Sequence, residues 1–182
     1  MRLTRREFSR LGALGLAAQL LPNERALAQS GDKKIGYCVI GIGRIADHFL
    51  RGVQESSHSK ITGFVSGHRD KAERFAAQYG VPKGSIYSYE DMDRMRDNKE
   101  IDAVYVALPN NMHAEYTIRS AKAGKHVLCE KPMSTTVSDA QAMIAACKAA
   151  NVKLMIAYRL HYEPLTLKTI QMIRDGALRE VQ

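Results

Sequence analysis

From Lys34 onward the chain alternates between two kinds of apolar pattern. Short continuous runs, Ile35–Ile40, Lys60–Val65, Ile101–Leu108, His126–Cys129 and Val152–Ala157, carry the aliphatic and aromatic content of strands buried on both faces. Between and after them lie longer runs whose apolar residues recur at helical steps: Arg44–Gln54, Arg69–Tyr79, Met112–Lys122, Val137–Ala150 and Glu163–Arg174. That period gathers the apolar positions on one helix face. Gly80, with Pro82 beyond it, stops the second of these helices, and Gly124 and Gly176 stop the third and the last. Ser85–Tyr87 reads as a short strand and Tyr89–Arg96 as a short helix. Such alternation predicts the α/β class: a Rossmann-type, doubly wound parallel sheet whose right-handed crossovers put helices on both faces.

Before Lys34 the pattern changes. Thr4-Arg5-Arg6-Glu7-Phe8 precedes an apolar stretch from Leu11 to Leu21, and Ala26-Leu27-Ala28 supplies small residues where a signal peptidase reads them. The stretch is shorter than the roughly 20 residues a membrane span needs, so no stable membrane anchor is expected. The paired arginines with Phe8 resemble a twin-arginine signal, with Ser9 where a Leu is frequent. Residues 1–28 are therefore read as a signal peptide and residues 29–33 as a polar arm. The expected partner is the twin-arginine export machinery, and the expected location is the periplasm. That route carries folded proteins, which suits a chain that takes up a cofactor before export.

The formal charge is +8, of which the first 28 residues contribute +3 through five arginines against two glutamates. The remainder is spread out, with no basic block interleaved with aromatics, so nucleic acid is not an expected partner. The residues after Ala28 suffice for one domain with its own core, not for two. Cys38, Cys129 and Cys147 form no CxxC and no His/Cys cluster at zinc spacing. They read as buried free thiols, with no metal site.

Candidate chemistry collects just after the strands. Gly41-Ile42-Gly43 follows the first strand and opens the first helix. Gly41 would permit the tight turn, and Gly43 would let a pyrophosphate approach the backbone. Ala46 is small enough for the helix to pack on the strand. Taken alone, such a turn is equally a strand–helix connection with no ligand. Four further polar clusters follow strands: Ser66–Lys71, Leu108–His113, Glu130–Pro132 and Tyr158–Tyr162. In a parallel sheet they share the carboxyl edge, where ligands bind, and together they predict a binding crevice. An NAD site carries an acidic residue at the end of the second strand for the ribose 2′-hydroxyl. Here Val65-Ser66-Gly67-His68-Arg69 offers none before Asp70. Ser66, Arg69 and Lys71 offer donors and positive charge instead, which favours NADP, with NAD as the alternative. A solvated helix start is the other reading of Arg69 and Lys71.

In order along the chain, Gly41-Ile42-Gly43, Pro109-Asn110-Asn111-Met112-His113, Cys129-Glu130-Lys131-Pro132 and Tyr158-Arg159-Leu160-His161-Tyr162-Glu163-Pro164 resemble the Gfo/Idh/MocA oxidoreductases, and among them the exported glucose–fructose oxidoreductase type. The resemblance runs from about Lys34 to the end and is most specific over Ile101–Lys131 and Lys153–Pro164. It implies tightly bound NADP as cofactor and a small-molecule sugar as substrate. It implies that Ser66 and Lys71 hold the 2′-phosphate and that Arg44 and Ile45 contact the pyrophosphate. Asn110 and His113 would line the nicotinamide-ribose side, with Leu108 in the same cofactor-binding set. Glu130 and Lys131 fall on a Glu-Lys-Pro motif whose Lys contacts nicotinamide ribose and substrate. Lys131 is thus the candidate catalytic residue, because a cation beside the substrate oxygen stabilises developing alkoxide charge. Arg159 falls on a Tyr-Arg pair near the cofactor, and Tyr89 near the adenine. Outside this context Lys131 is a surface lysine before a turn, and His113 a residue that caps or packs at a helix start.

Members of that family continue into a second α/β domain with a mostly antiparallel sheet. It supplies much of the sugar pocket, an acid/base His or Tyr paired with an Asp, and the dimer face. Residues 34–157 are expected to form the NAD(P)-binding Rossmann domain and 158–182 the truncated start of the second, with the apolar face of Glu163–Arg174 exposed. The expectation is a fragment or short product that binds nucleotide without the full catalytic set, while the full-length form is a homo-oligomer. Three functions stay open. One is an exported NADP-dependent sugar oxidoreductase cycling one bound NADP. The second is a freely exchanging NAD(P)-dependent sugar or polyol dehydrogenase, and the third a nucleotide-binding remnant without catalysis. A membrane-anchored partner protein would require an uncleaved signal.

Overall fold

The computed structural model describes residues 33–177; the expected signal peptide and nearly all of the polar arm lie outside the described residues, as do residues 178–182. In chain order the elements are β1 (Ile35–Ile40), α1 (Arg44–Glu55), β2 (Ser59–Val65), α2 (Arg69–Tyr79), β3 (Ile86–Tyr87), β4 (Ala103–Val106), α3 (His113–Lys122), β5 (His126–Cys129), α4 (Val137–Ala149), β6 (Leu154–Ile156) and α5 (Pro164–Arg174). The strands form one parallel sheet in the order β3-β2-β1-β4-β5-β6, so the winding reverses at β1. The expected α/β doubly wound sheet is the fold observed.

Alternation along each strand sorts the core into two layers. Cys38, Ile40, Val65, Val104, Val106 and Cys129 point to one face, where Tyr116 and Ala121 of α3 and Met143 and Cys147 of α4 cover them. Val39, Phe64 and Tyr105 point to the other, against Ala46 and Leu50 of α1 and Ala72 and Ala76 of α2. The small residues on α1 and α2 let those helices approach the sheet closely.

Register aligns the strand ends. Ile40 pairs with Val65 on one side and with Val106 on the other; Val106 pairs with Cys129, Cys129 with Ile156, and Val65 with Tyr87. One row therefore crosses the whole sheet at its carboxyl edge. The residues immediately after it, Gly41, Ser66, Ala107, Glu130 and Ala157, stand on a common rim.

Most elements differ from the sequence expectation only by a residue or two at their ends, and two differ in kind or in how they start. Tyr89–Arg96 is not an α-helix; a shorter 3-10 turn, Met92–Asp97, takes its place. Asp91 Oδ1 accepts from the Ser88 N–H at 2.7 Å, and Ser88 Oγ accepts from the N–H groups of Glu90 and Asp91. These local side-chain acceptors compete with helical hydrogen bonding and delay the turn. The helix expected from Met112 starts one residue later, behind a 3-10 turn at Asn110–Met112 closed by Met112 N–H to the Pro109 carbonyl. By contrast Gly80 sits at the end of α2 with φ +68°, the left-handed stop that the sequence indicated.

After β6 the chain makes a 3-10 turn, Arg159–Tyr162, and enters α5. Glu163 caps that helix by accepting from Thr166 N–H at 2.7 Å, with Pro164 in its first turn. No residue of α5 is buried, and Leu165, Leu167, Met172 and Ile173 are exposed. Among the described residues no helix is long and apolar enough to cross a membrane, and no His/Cys/Asp/Glu group could hold a metal.

Candidate cofactor-binding cleft

The centre of the rim is the glycine turn at the winding reversal. Gly41 has φ +89°, and its N–H donates to the Val65 carbonyl at 2.9 Å. A Cβ there would stand 2.7 Å from both the Ala107 carbonyl oxygen and Leu108 Cδ2. Glycine is thus required twice, by conformation and by contact. Gly43 differs: its φ of −96° suits any residue, and a Cβ there would meet nothing within 4 Å. It precedes α1, whose N-terminus has no side-chain cap. Open space before uncapped amides is the cradle a diphosphate fits. Ala46, fully buried, seats α1 on the sheet behind it. Arg44 and Ile45 are exposed in the first turn.

At the end of β2, Ser66 is buried, and its Oγ accepts from the His68 N–H at 3.1 Å. Lys71, half-buried on α2, reaches back so that Nζ donates to the Ile42 carbonyl at 2.5 Å. Its ammonium therefore stands against the glycine turn. Arg69 is committed elsewhere, to Glu73 at 2.9 Å and to the Ile86 carbonyl at 3.3 Å. Asp70, the first carboxylate after β2, faces Arg74 at 3.7 Å. Tyr89 lies over Gly67, whose added Cβ would be 3.3 Å from the ring, and it meets Tyr116 edge-on with centroids 5.3 Å apart. The β2 end thus offers a hydroxyl, a cation and an aromatic wall.

Beyond β4, β5 and β6 the rim opens into a cleft of about 660 Å³ on the α1 side of the sheet. Ile45, Tyr105, Glu130, Lys131 and Arg159 line it, with Phe49 of α1. Lys131 precedes a cis peptide bond to Pro132 and is exposed. Glu130 Oε1 accepts from the Tyr105 hydroxyl at 2.6 Å, and Oε2 accepts from the Lys131 N–H at 3.1 Å. Leu108 stands half-buried beside the turn, and Asn110 is exposed at the start of its 3-10 turn.

His113 requires a correction. It is fully buried, with Nδ1 2.8 Å from the Pro132 carbonyl oxygen and Nε2 2.9 Å from that of Leu108. Both ring nitrogens are taken by the chain itself, so the imidazole has no atom left for a ribose. Its place is behind the cleft, holding the loop after β4 to the loop after β5. Several cleft residues were missed from the sequence, Tyr105 and Phe49 among them. These two sit in apolar patterns that read as core, and only the fold brings them together. A phenol in an otherwise aliphatic strand was the one available signal.

The model of the oxidoreductase family with an NAD-binding Rossmann fold, GFO_IDH_MocA, matches residues 35–158. The chain belongs to the Gfo/Idh/MocA oxidoreductase family. As a Gfo/Idh/MocA member it is 32% identical over 150 residues to the D-xylose 1-dehydrogenase [NADP(+)] of Haloarcula marismortui, covering 82% of this chain and 41% of that protein. It is 33% identical over 130 residues to the scyllo-inositol 2-dehydrogenase (NADP(+)) of Bacillus subtilis, covering 71% of this chain and 38% of that one. The crystal structure of an aldose–aldose oxidoreductase from Caulobacter crescentus, complexed with glycerol, superposes with a TM-score of 0.79 at 46% identity, over 82% of this chain and 45% of that one. A 3-ketoreductase from Actinomadura kijaniata in complex with NADP gives 0.72 at 30% identity, over 81% of this chain and 46% of that chain. The chain spans about two fifths of the length of the curated relatives it matches.

Proposed function

We propose that this Gfo/Idh/MocA protein is an NADP-dependent oxidoreductase of sugar or polyol hydroxyls, exported by the twin-arginine route and working in the periplasm in the manner of the glucose–fructose oxidoreductase type. The observation that carries the cofactor reading is the end of β2. Ser66 Oγ and Lys71 Nζ stand there, with no carboxylate before Asp70, which faces Arg74. The NADP named for three relatives supports the same reading.

In this proposal the amides at Gly43 and the start of α1, with Arg44 and Ile45, hold the diphosphate. Ser66 and Lys71 hold the 2′-phosphate, and Tyr89 walls the adenine. Leu108 and Asn110 border the nicotinamide ribose, and Arg159 closes the far side. Bound there, the nicotinamide supplies hydride transfer. Lys131 brings positive charge to the substrate oxygen and stabilises it as the alkoxide develops. The relatives are more than twice as long as the stretch they share with this chain. Sugar contacts, the proton acceptor and the surfaces of a homo-oligomer are proposed to lie in the remainder of that fold, beginning near residue 158.

Calorimetric titration with NADP and NAD tests the cofactor: NADP is expected to bind at least tenfold tighter, and equal affinity would overturn the assignment. Absorbance of reduced nicotinamide that survives dialysis separates a cycling, retained NADP from a second reading, the freely exchanging dehydrogenase that the two NADP(+)-named relatives favour. A panel of aldoses and polyols then tests turnover. For export, the periplasmic fraction should yield an N-terminus at Gln29, and Arg5→Lys with Arg6→Lys should hold the protein in the cytoplasm. An unprocessed periplasm-free product from the unaltered chain would overturn that part.

A further inference from the structure

β4 is apolar along its whole length, yet its third residue carries a hydroxyl. Tyr105 is 2% exposed and donates to Glu130 Oε1 at 2.6 Å, while the second oxygen of Glu130 is held by the Lys131 N–H. Phe49 stacks on the phenol with centroids 4.0 Å apart and planes 22° apart, and Tyr37 meets Phe49 edge-on at 5.3 Å and 74°. Burial first, and then the hydrogen bond to Glu130, raise the Tyr105 hydroxyl above the ordinary phenol range. It therefore remains a donor throughout the neutral range.

We infer that Tyr105 is a positioning residue for the nicotinamide end of the cleft: through Glu130 it fixes the Glu130-Lys131 turn, and through Phe49 it ties that turn to α1. The chain of contacts is continuous. Helix α1 carries the diphosphate cradle at its N-terminus and Phe49 on the same inner stripe. Phe49 lies on Tyr105, Tyr105 binds Glu130, and Glu130 binds the backbone of Lys131. Glu130 lines the cleft with its carboxylate held at both oxygens, by the Tyr105 hydroxyl and by the Lys131 N–H, so the turn that carries the Lys131 side chain keeps one orientation. Removing the hydroxyl frees Oε1 and lets Glu130 rotate toward solvent or toward Lys131. The inference rests on the nicotinamide-cofactor reading of the cleft.

The test uses the full chain and two probes. NADP fills both ends of the site; adenosine 2′,5′-bisphosphate carries the 2′-phosphate and lacks the nicotinamide. Tyr105→Phe keeps the ring and its stacking. It is expected to weaken NADP about tenfold, the effect of one hydrogen bond to a charged group, and to leave the bisphosphate unchanged. Glu130→Ala should weaken NADP to a similar extent, and adding Tyr105→Phe to it should cost little more, since contacting residues that act as a pair are not additive. Unchanged NADP affinity in Tyr105→Phe, equal losses for both probes, or fully additive losses in the double variant would each overturn the inference. Glu130 is only partly buried, so Glu130→Ala must show the selective loss of NADP affinity by itself even if Tyr105→Phe does not fold. Binding of neither probe to the unaltered chain would instead overturn the cofactor reading, and this inference with it.

Discussion

Lys71 Nζ donates to the carbonyl oxygen of Ile42, tying the first turn of α2 to the middle residue of the glycine turn. The same ammonium thus braces the turn and lends positive charge to the place where a diphosphate and a 2′-phosphate would converge. Lys71→Met keeps the aliphatic stem and removes both effects. Affinity for NADP is expected to fall by one to two orders of magnitude, as for loss of a hydrogen bond to a charged group at about 1.5–3 kcal/mol, while NAD affinity falls less. Paired titrations with the two nucleotides check this, and equal losses would place Lys71 in the turn alone.

The two glycines of the turn should separate stability from binding. Gly41→Ala forces a side chain into the left-handed region and against the Ala107 carbonyl. Strain of that kind costs roughly 1–3 kcal/mol, with the clash added. Gly43→Ala meets nothing and needs no unusual φ, so urea unfolding is expected to shift by only a few tenths of a kcal/mol. NADP binding should nevertheless drop sharply in Gly43→Ala, because the added methyl enters the cradle. Loss of stability without loss of binding in that variant would remove the diphosphate from this place.

His113 links two loops from inside. His113→Ala removes the ring that links the carbonyls of Leu108 and Pro132 and opens a cavity where a fully buried side chain stood. A lost hydrogen bond costs about 0.5–1.5 kcal/mol net and the cavity adds to it, so the variant is expected to lose a few kcal/mol in urea unfolding. His113→Gln, which can still donate, should recover part of that loss. A stable His113→Ala with impaired NADP binding would restore the residue to the cofactor.

The rim was legible in the sequence because strand ends carry their own punctuation. Gly41 after Ile40, Ser66 after Val65 and Glu130 after Cys129 each mark where an apolar run stops, and parallel pairing then levels those stops in one row. Direction of side chains was not legible. The spacing puts His113 near the β4 end but does not say that its ring turns inward to Pro132. Tyr105 follows the period of a buried strand, and its partner Glu130 lies on a different strand end, so nothing local distinguishes this hydroxyl from core. The Met92–Asp97 turn failed for a further reason: Ser88 and Asp91 offer the backbone acceptors nearer than the helical ones.

The thiols give a pH dependence with a definite sign. Cys38, Cys129 and Cys147 are free and buried. Burial, the largest cause, pushes the Cys129 thiol up to about 11 from its ordinary 9.0 and also raises Cys38 and Cys147. Between the ordinary thiol value and about 11 the unfolded chain has released a proton that the native state still holds. The unfolded state then binds fewer protons, so stability falls as pH rises through that window. Lys125 works against this, since burial lowers its amine and the native state holds fewer protons there. Urea midpoints at pH 8, 9 and 10 are expected to decline, and to decline less steeply in Cys129→Ala. At pH 8 a thiol-reactive disulfide should find no fast-reacting cysteine in the native protein and three in the unfolded one. A fast-reacting thiol in the native state would mean that β1, β5 or α4 opens readily, and a Cys129→Ala profile parallel to the unaltered one would remove this thiol as a source of the alkaline instability.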